Sequence, residues 1–336
     1  MSGWDDGLPT TVDDALRGAA RDVLDSGEEI STEDGSAHLE LFSYRTGMSS
    51  PLHRIAASSA RRLDLVGAVG RLVWMLRGDD ALGSVAFYVQ RSVDYSPDGI
   101  WVPGSDYGAR IRKPLPGVDQ LHGVIKRLTD EPLSRQAGTV IWNPLDAVRE
   151  PFDVPCAFGT LYHRRRGGLA ATTVMRSNKP SVLPLNFFEF SMLAEVVAAE
   201  LELPLVRYEH WTAVMQIPHR EYDLCRGIVG CEGAGSPMPP MPRTPAPLGQ
   251  VRELCVLEAR VRSSRDEREV NEAIYAGRGL LHPYWFGFLQ VLALGWYRKA
   301  GLVSAALDRC EELPDHFAAG CLSSIKPRLK EPTQTP

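Results

Sequence analysis

Cys156 sits in the run Asp153-Val154-Pro155-Cys156-Ala157, and the chain reads Val174-Met175-Arg176-Ser177-Asn178 about twenty residues later. A cysteine attacks only as its thiolate, and a neighbouring arginine favours that form. Arg176 is the candidate neighbour, and the Arg-Ser pair suits an anion. Taken alone, a cysteine is more often a small buried hydrophobe. The company it keeps decides between the two readings.

The elements that must position these residues can be read from periodicity. Residues 11–24 form a helix opened by a Thr-x-x-Asp start, with Val12, Leu16, Ala19 and Val23 on one face. Residues 38–44 alternate as a strand. Residues 66–76 are apolar almost all round and stop at Gly78, which predicts a buried, glycine-capped helix. An amphipathic helix is expected over 118–128 and a strand over 138–142. Residues 156–162 and 169–175 read as a hairpin across Gly167-Gly168, and a long helix follows over 187–201. More than two strands, paired antiparallel and layered with helices, make an α+β fold.

Six prolines crowd the eleven positions before residue 248, so 231–247 reads as a semi-rigid linker between a catalytic domain over 1–230 and an appendage over 248–330. The appendage reads as helix only, over 251–261, 267–276, 284–296 and 303–310.

Composition narrows the function classes. The chain has 336 residues, 44% hydrophobic and 24% charged, as in ordinary globular proteins. A net charge of −5 provides no basic excess for generic nucleic-acid binding. The first twenty residues are polar and acidic, unlike a secretory signal, and no membrane span is expected, the stretch 286–296 being the most apolar. The six cysteines show neither CxxC pairing nor zinc-ligand spacing. No metal is expected, and free thiols suit a reducing cytoplasm.

Seven motifs in order carry a resemblance: Trp74-Met-Leu-Arg-Gly78, Asp106-Tyr-Gly-Ala-Arg110, Pro132-Leu-Ser-Arg-Gln136, Trp142-Asn-Pro144, Val154-Pro-Cys156, Met175-Arg-Ser-Asn178 and Leu183-Pro-Leu-Asn186. Across residues 40–222 the chain resembles the thymidylate synthase superfamily, which includes the pyrimidine nucleotide hydroxymethylases. The resemblance implies that family's mixed, largely antiparallel sheet layered with helices. It implies that Cys156 adds to C6 of a pyrimidine, making C5 nucleophilic toward the one-carbon unit of methylenetetrahydrofolate, with Tyr107 close to the cysteine. It implies that Arg54, Arg135, Arg176 and Ser177 meet the phosphate, Arg135 reaching across a homodimer interface, and that Asn186 reads the base. An alternative for Asn186 is the N-cap of the helix at 187.

The departures from that pattern are equally specific. Arg71 replaces a glutamate that organises water and protons around the base, Ala157 follows the cysteine in place of histidine, and Lys179 replaces an aspartate that contacts the pterin. The pair that holds the sugar hydroxyl falls on Met215 and Ile217, with His210 and His219 as possible substitutes. These changes put the use of folate in question and shift the expected sugar toward ribose. The first expectation is therefore C5 hydroxymethylation of a pyrimidine nucleoside 5′-monophosphate, CMP foremost, as in nucleoside-antibiotic pathways. The alternatives are C5 methylation of UMP or dUMP, folate-independent cysteine chemistry at C5, and an inactive nucleotide-binding homologue.

Overall fold

The computed structural model describes residues 7–31, 37–148, 153–233 and 235–325. The acidic residues 5 and 6, Ala234 in the proline-rich run, and residues 326–330 of the expected appendage lie outside the described residues. The helices are α1 (Val12–Ser26), α2 (Leu65–Arg77), α3 (Leu82–Ala86), α4 (Tyr107–Arg112), α5 (Gln120–Asp130), α6 (Leu183–Glu200), α7 (Tyr222–Val229), α8 (Pro247–Ser263), α9 (Glu267–Leu280), α10 (Pro283–Lys299), α11 (Val303–Cys310) and α12 (Asp315–Ile325). The strands are β1 (Glu28–Ser31), β2 (Ala37–Met48), β3 (Gly138–Val140), β4 (Ala157–Arg165), β5 (Gly168–Asn178) and β6 (Leu205–Pro218).

Local chemistry sets the element ends. Thr11 accepts the Asp14 N–H at 3.1 Å while the Asp14 carboxylate accepts the Thr11 N–H at 3.1 Å, a reciprocal box that starts α1. Asp64 caps α2, and Gly78 ends it in the left-handed region at φ 67°. The β4–β5 turn uses Arg166 and Gly167, both at positive φ, so the two-residue turn lies one position before the expected Gly167-Gly168.

The six strands run in the order β1-β2-β6-β5-β4-β3. The sheet is mixed and largely antiparallel, as the resemblance implies, and the fold is α+β: β5 and β6 are parallel, which the strand periodicity alone did not anticipate, while every other neighbouring pair is antiparallel. A parallel pair needs a crossover, and α6 supplies it. Packed among the sheet, α1, α2 and α8, this helix is covered on all sides, which explains why it is apolar all round. The segment Pro180–Glu200 is long and apolar enough to cross a membrane, which the reading of 286–296 as the most apolar stretch missed; 89% of its apolar 18-residue window is buried inside the protein.

The C-terminal helices pack against this body. α8, α10 and α12 contact α2, and Trp285, Phe288 and Tyr297 join the same continuous apolar core as Val69, Phe187 and Phe190. α12 was not anticipated from sequence. The proline-rich run lies along the body: the Met238 N–H donates to Leu52 O at 2.9 Å, the Met241 N–H donates to Glu195 Oε1 at 2.9 Å, and both methionines are buried.

Candidate active site

Cys156 lies one residue before β4, half-buried, with its backbone tied on two sides. Its carbonyl accepts the Arg176 N–H of β5 at 2.8 Å, and its N–H donates to the Tyr107 hydroxyl at 3.3 Å. Tyr107 is the first residue of α4, and its ring stacks on Phe190 of α6 at 5.9 Å. The cysteine is thereby fixed between the sheet and α4.

The approach to Tyr107 is held by a residue to which sequence reading gave no role. The Asp153 carboxylate accepts the Gly104 and Ser105 N–H groups at 3.1 and 2.7 Å and the Ser105 hydroxyl at 3.0 Å. The two loops meet so closely that a Cβ at Gly104 would lie 1.9 Å from Asp153 O. Only glycine fits there.

Arg176 is beside the cysteine as expected, and it clamps the loop. Its Nε and Nη2 donate to the carbonyls of Pro155 and Val154 at 3.0 and 3.1 Å. Burial pushes the Cys156 thiol's pKa up; Arg176 and Lys179 pull it down, Asp153 adds to the rise, and burial wins. Arg176 thus lowers the thiol's pKa as expected, but by less than burial raises it.

Asn186 is nine-tenths buried, and its side chain makes no hydrogen bond among the described residues. It is not an N-cap: α6 begins three residues earlier and places it inside the first turn. One turn on, Glu189 lies on the same face of the helix. The Arg71 Nε donates to Glu189 Oε1 at 2.7 Å, while Glu189 Oε2 is buried without a hydrogen-bond partner among the described residues. Burial alone would lower the Arg71 pKa; Glu189, with Tyr107 and Asp153, raises it. Tyr107 feels Cys156, Arg71 and Glu189 together. Cys156, Tyr107, Arg71, Glu189, Asp153 and Arg176 thus form one connected cluster. Glu189 was missed, although a glutamate inside so apolar a helix was a signal, because buried charges require partners.

Other expected residues fall differently. Ser177 accepts a hydrogen bond from the Gln216 amide at 3.2 Å across β5 and β6. Arg135 is exposed and makes no hydrogen bond or ion pair among the described residues. Arg54 is not brought to the cluster: it is fully buried, donating from Nε to Pro51 O at 2.8 Å and pairing with Glu195 at 2.8 Å. A phosphate cannot reach it without opening the core.

Met215 and Ile217 are fully buried, and His210 is no substitute at a sugar. His210 lies in the core between the Tyr208 hydroxyl at 3.0 Å and the Asn178 amide at 2.8 Å, and burial pulls its pKa down to about 3. Lys179 pairs with Glu221 at 2.6 Å, and the Ser181 hydroxyl donates to the other Glu221 oxygen at 2.5 Å. A carboxylate therefore remains beside Lys179, carried by Glu221.

A family model described as thymidylate synthase matches residues 16–226. The chain is 26% identical over 189 residues to a deoxyuridylate hydroxymethyltransferase of Bacillus phage SP01, covering 52% of this chain and 48% of that protein. It is 24% identical over 201 residues to a thymidylate synthase of Ascaris suum, covering 52% of this chain and 68% of that one. It is 35% identical over 97 residues to a putative thymidylate synthase of Methanosarcina acetivorans, covering 28% and 44%. The chain spans about half the length of the curated relatives it matches.

Proposed function

Because this chain belongs to the thymidylate synthase family, whose model it matches over residues 16–226, we propose that it transfers a one-carbon unit to C5 of a pyrimidine nucleoside 5′-monophosphate. Cys156 is the nucleophile. The observation that carries the reading is Cys156 itself, held at the Tyr107 hydroxyl and adjoining Arg176 and Lys179.

Addition of the thiolate to C6 forms the Sγ–C6 bond and drives the C5=C6 electron pair into the C4 position. C5 would then bond the one-carbon unit as that carbon's bond to its carrier nitrogen breaks and the amine is released; C5 loses its proton, and the returning pair expels the thiolate. Methylenetetrahydrofolate would supply the carbon at the oxidation level of formaldehyde, so capture by water gives a hydroxymethyl product without a reductant. Glu221 fits the pterin side: its carboxylate stands beside Lys179 and keeps lone pairs for an amine donor.

Hydroxymethylation is preferred to methylation because methylation needs a dry wall against the reacting carbon. Gln90, Arg91, Val93, Asp94, Tyr95 and Trp101 are solvent-exposed and supply no such wall. The name of the phage relative, a deoxyuridylate hydroxymethyltransferase, supports the same choice. Asn186, whose amide donates and accepts, reads the pyrimidine edge, and Arg176, Ser177 and Arg135 meet the phosphate.

A homodimer suits the arrangement. Val140, Leu161 and Trp211 leave an apolar, exposed face on the sheet opposite the helices, and Arg135 stands free to enter a neighbour's site. The test is tritium release from 5-tritiated UMP, CMP, dUMP and dCMP, with and without methylenetetrahydrofolate, together with the product mass. Release that depends on folate, with a hydroxymethylated product, is expected. Release from none of the four overturns the reading, and release without folate moves it to folate-independent chemistry.

A further inference from the structure

On the reading that Cys156 adds to C6 of a pyrimidine, the geometry points to Arg71 as the residue that selects the base, and to uracil as the base selected. Three observations bear on it. Arg71 is fixed at one nitrogen by Glu189, and its remaining guanidinium nitrogens make no hydrogen bond among the described residues. Its side chain retains 18% exposure, whereas Glu189 retains 2% and the unpaired Oε2 of Glu189 is sealed from solvent. The pair also adjoins Tyr107, which touches the Cys156 backbone, and Glu189 lies one helical turn from Asn186. The open member of the pair, held by a glutamate one helical turn from Asn186, is therefore a cation with donors only, and the carboxylate is hidden from solvent.

The chemistry of the pyrimidine C4 position turns that asymmetry into specificity. Uracil presents a carbonyl oxygen there, and cytosine an amine. When the thiolate bonds to C6 of uracil, the C5=C6 electron pair moves through C5 and C4 onto O4, which becomes an enolate oxygen. A guanidinium, always protonated and preset in direction, stabilises that charge as it develops. Against cytosine the same N–H groups face an amine that also donates. The acceptor that would satisfy that amine is the sealed Glu189 oxygen, so one donor is left unpaired. Glu189 acts through Arg71 as its positioning residue. The exchange of the expected glutamate for Arg71 thus does more than remove a proton relay: it replaces an acceptor at the base by a donor. This departs from the cytosine nucleotide that the sequence put first.

The experiment measures binding of UMP, CMP, dUMP and dCMP to the full chain by calorimetry and tritium release from their 5-tritiated forms. The proteins are wild type, Arg71→Gln, Glu189→Gln, and the neutral double variant Arg71→Gln/Glu189→Gln. Wild type should favour uracil over cytosine in tritium release by roughly 10²-fold or more, because a site built to pair one polar group rejects the analogue that reverses it. Arg71→Gln, whose amide both donates and accepts, should collapse that ratio to within about tenfold. Glu189→Gln should lower turnover while keeping the uracil preference. If a single variant does not fold, the wild-type ratio and the neutral double variant decide. Cytosine nucleotides handled as well as uracil ones by wild type overturn the role of Arg71 and leave the Cys156 chemistry standing. No binding and no release from any of the four overturns the one-carbon reading, and the base assignment with it.

Discussion

Arg54 offers the sharpest separation between what the motif pattern suggested and what the fold built. Its guanidinium is fully buried, pairs with Glu195 at 2.8 Å and donates to Pro51 O at 2.8 Å. Glu195 is itself 4% exposed and also accepts the Met241 N–H, tying the proline-rich run to α6. Substituting Arg54→Met strands the Glu195 carboxylate in the core, and breaking a buried pair from one side costs about 3–5 kcal/mol. For a chain of this size about 2 °C of Tm accompanies each kcal/mol, so the variant should melt roughly 6–10 °C lower. The double variant Arg54→Met/Glu195→Gln removes both charges and keeps an acceptor for Met241. It leaves mainly the Pro51 carbonyl unpaired, at about 1–3 kcal/mol, so roughly half of the loss should return. The assay is thermal unfolding by circular dichroism, with nucleotide binding measured well below the transition. An Arg54→Met protein that melts like wild type but no longer binds nucleotide would refute the core assignment and restore Arg54 to the phosphate.

Three further outcomes follow from named contacts. His210 is held neutral with a pKa near 3, while the unfolded chain's histidine titrates near 6.5. The unfolded state alone gains the proton in between, so stability should fall by about 1.4 kcal/mol per pH unit below about 6.5, and His210→Gln should flatten that slope in urea titrations. Gly104→Ala places a Cβ 1.9 Å from Asp153 O and must shift the loop that sets Tyr107 against Cys156. Tritium release should drop by roughly 10²-fold; unchanged release would uncouple that loop from the cysteine. Trp211→Glu puts a charge on the exposed sheet face, and sedimentation should show a dimer becoming a monomer. A wild-type chain already monomeric would remove the dimer reading.

Local signals carried much of the fold. The Thr11–Asp14 box, the Gly78 stop and the β4–β5 hairpin are each decided by a few adjacent residues, and each is legible in the chain. What failed depends on partners far along it. The apolar run of α6 does not announce that it bridges two parallel strands, because a helix covered on every side loses the periodicity that would name its packing face. Arg54 reads as an anion binder until Glu195 is folded against it. Cys156, Tyr107 and Arg176 stand together in the fold, a grouping that motif spacing had suggested. Asp153 and Glu189 were not, since their roles arise from what the folded chain brings to them: the loop at Gly104 in one case and Arg71 in the other.

The central claim is a covalent bond between the Cys156 sulfur and C6 of a pyrimidine nucleotide. A 5-fluoro substituent cannot leave as a proton does, so a 5-fluoropyrimidine nucleoside 5′-monophosphate with methylenetetrahydrofolate should arrest the enzyme at that bond. Intact-protein mass spectrometry followed by peptide mapping should find one nucleotide per chain on the peptide containing Cys156, and none on Cys156→Ser. An unmodified protein, or an adduct on any of the other five cysteines, would contradict the account.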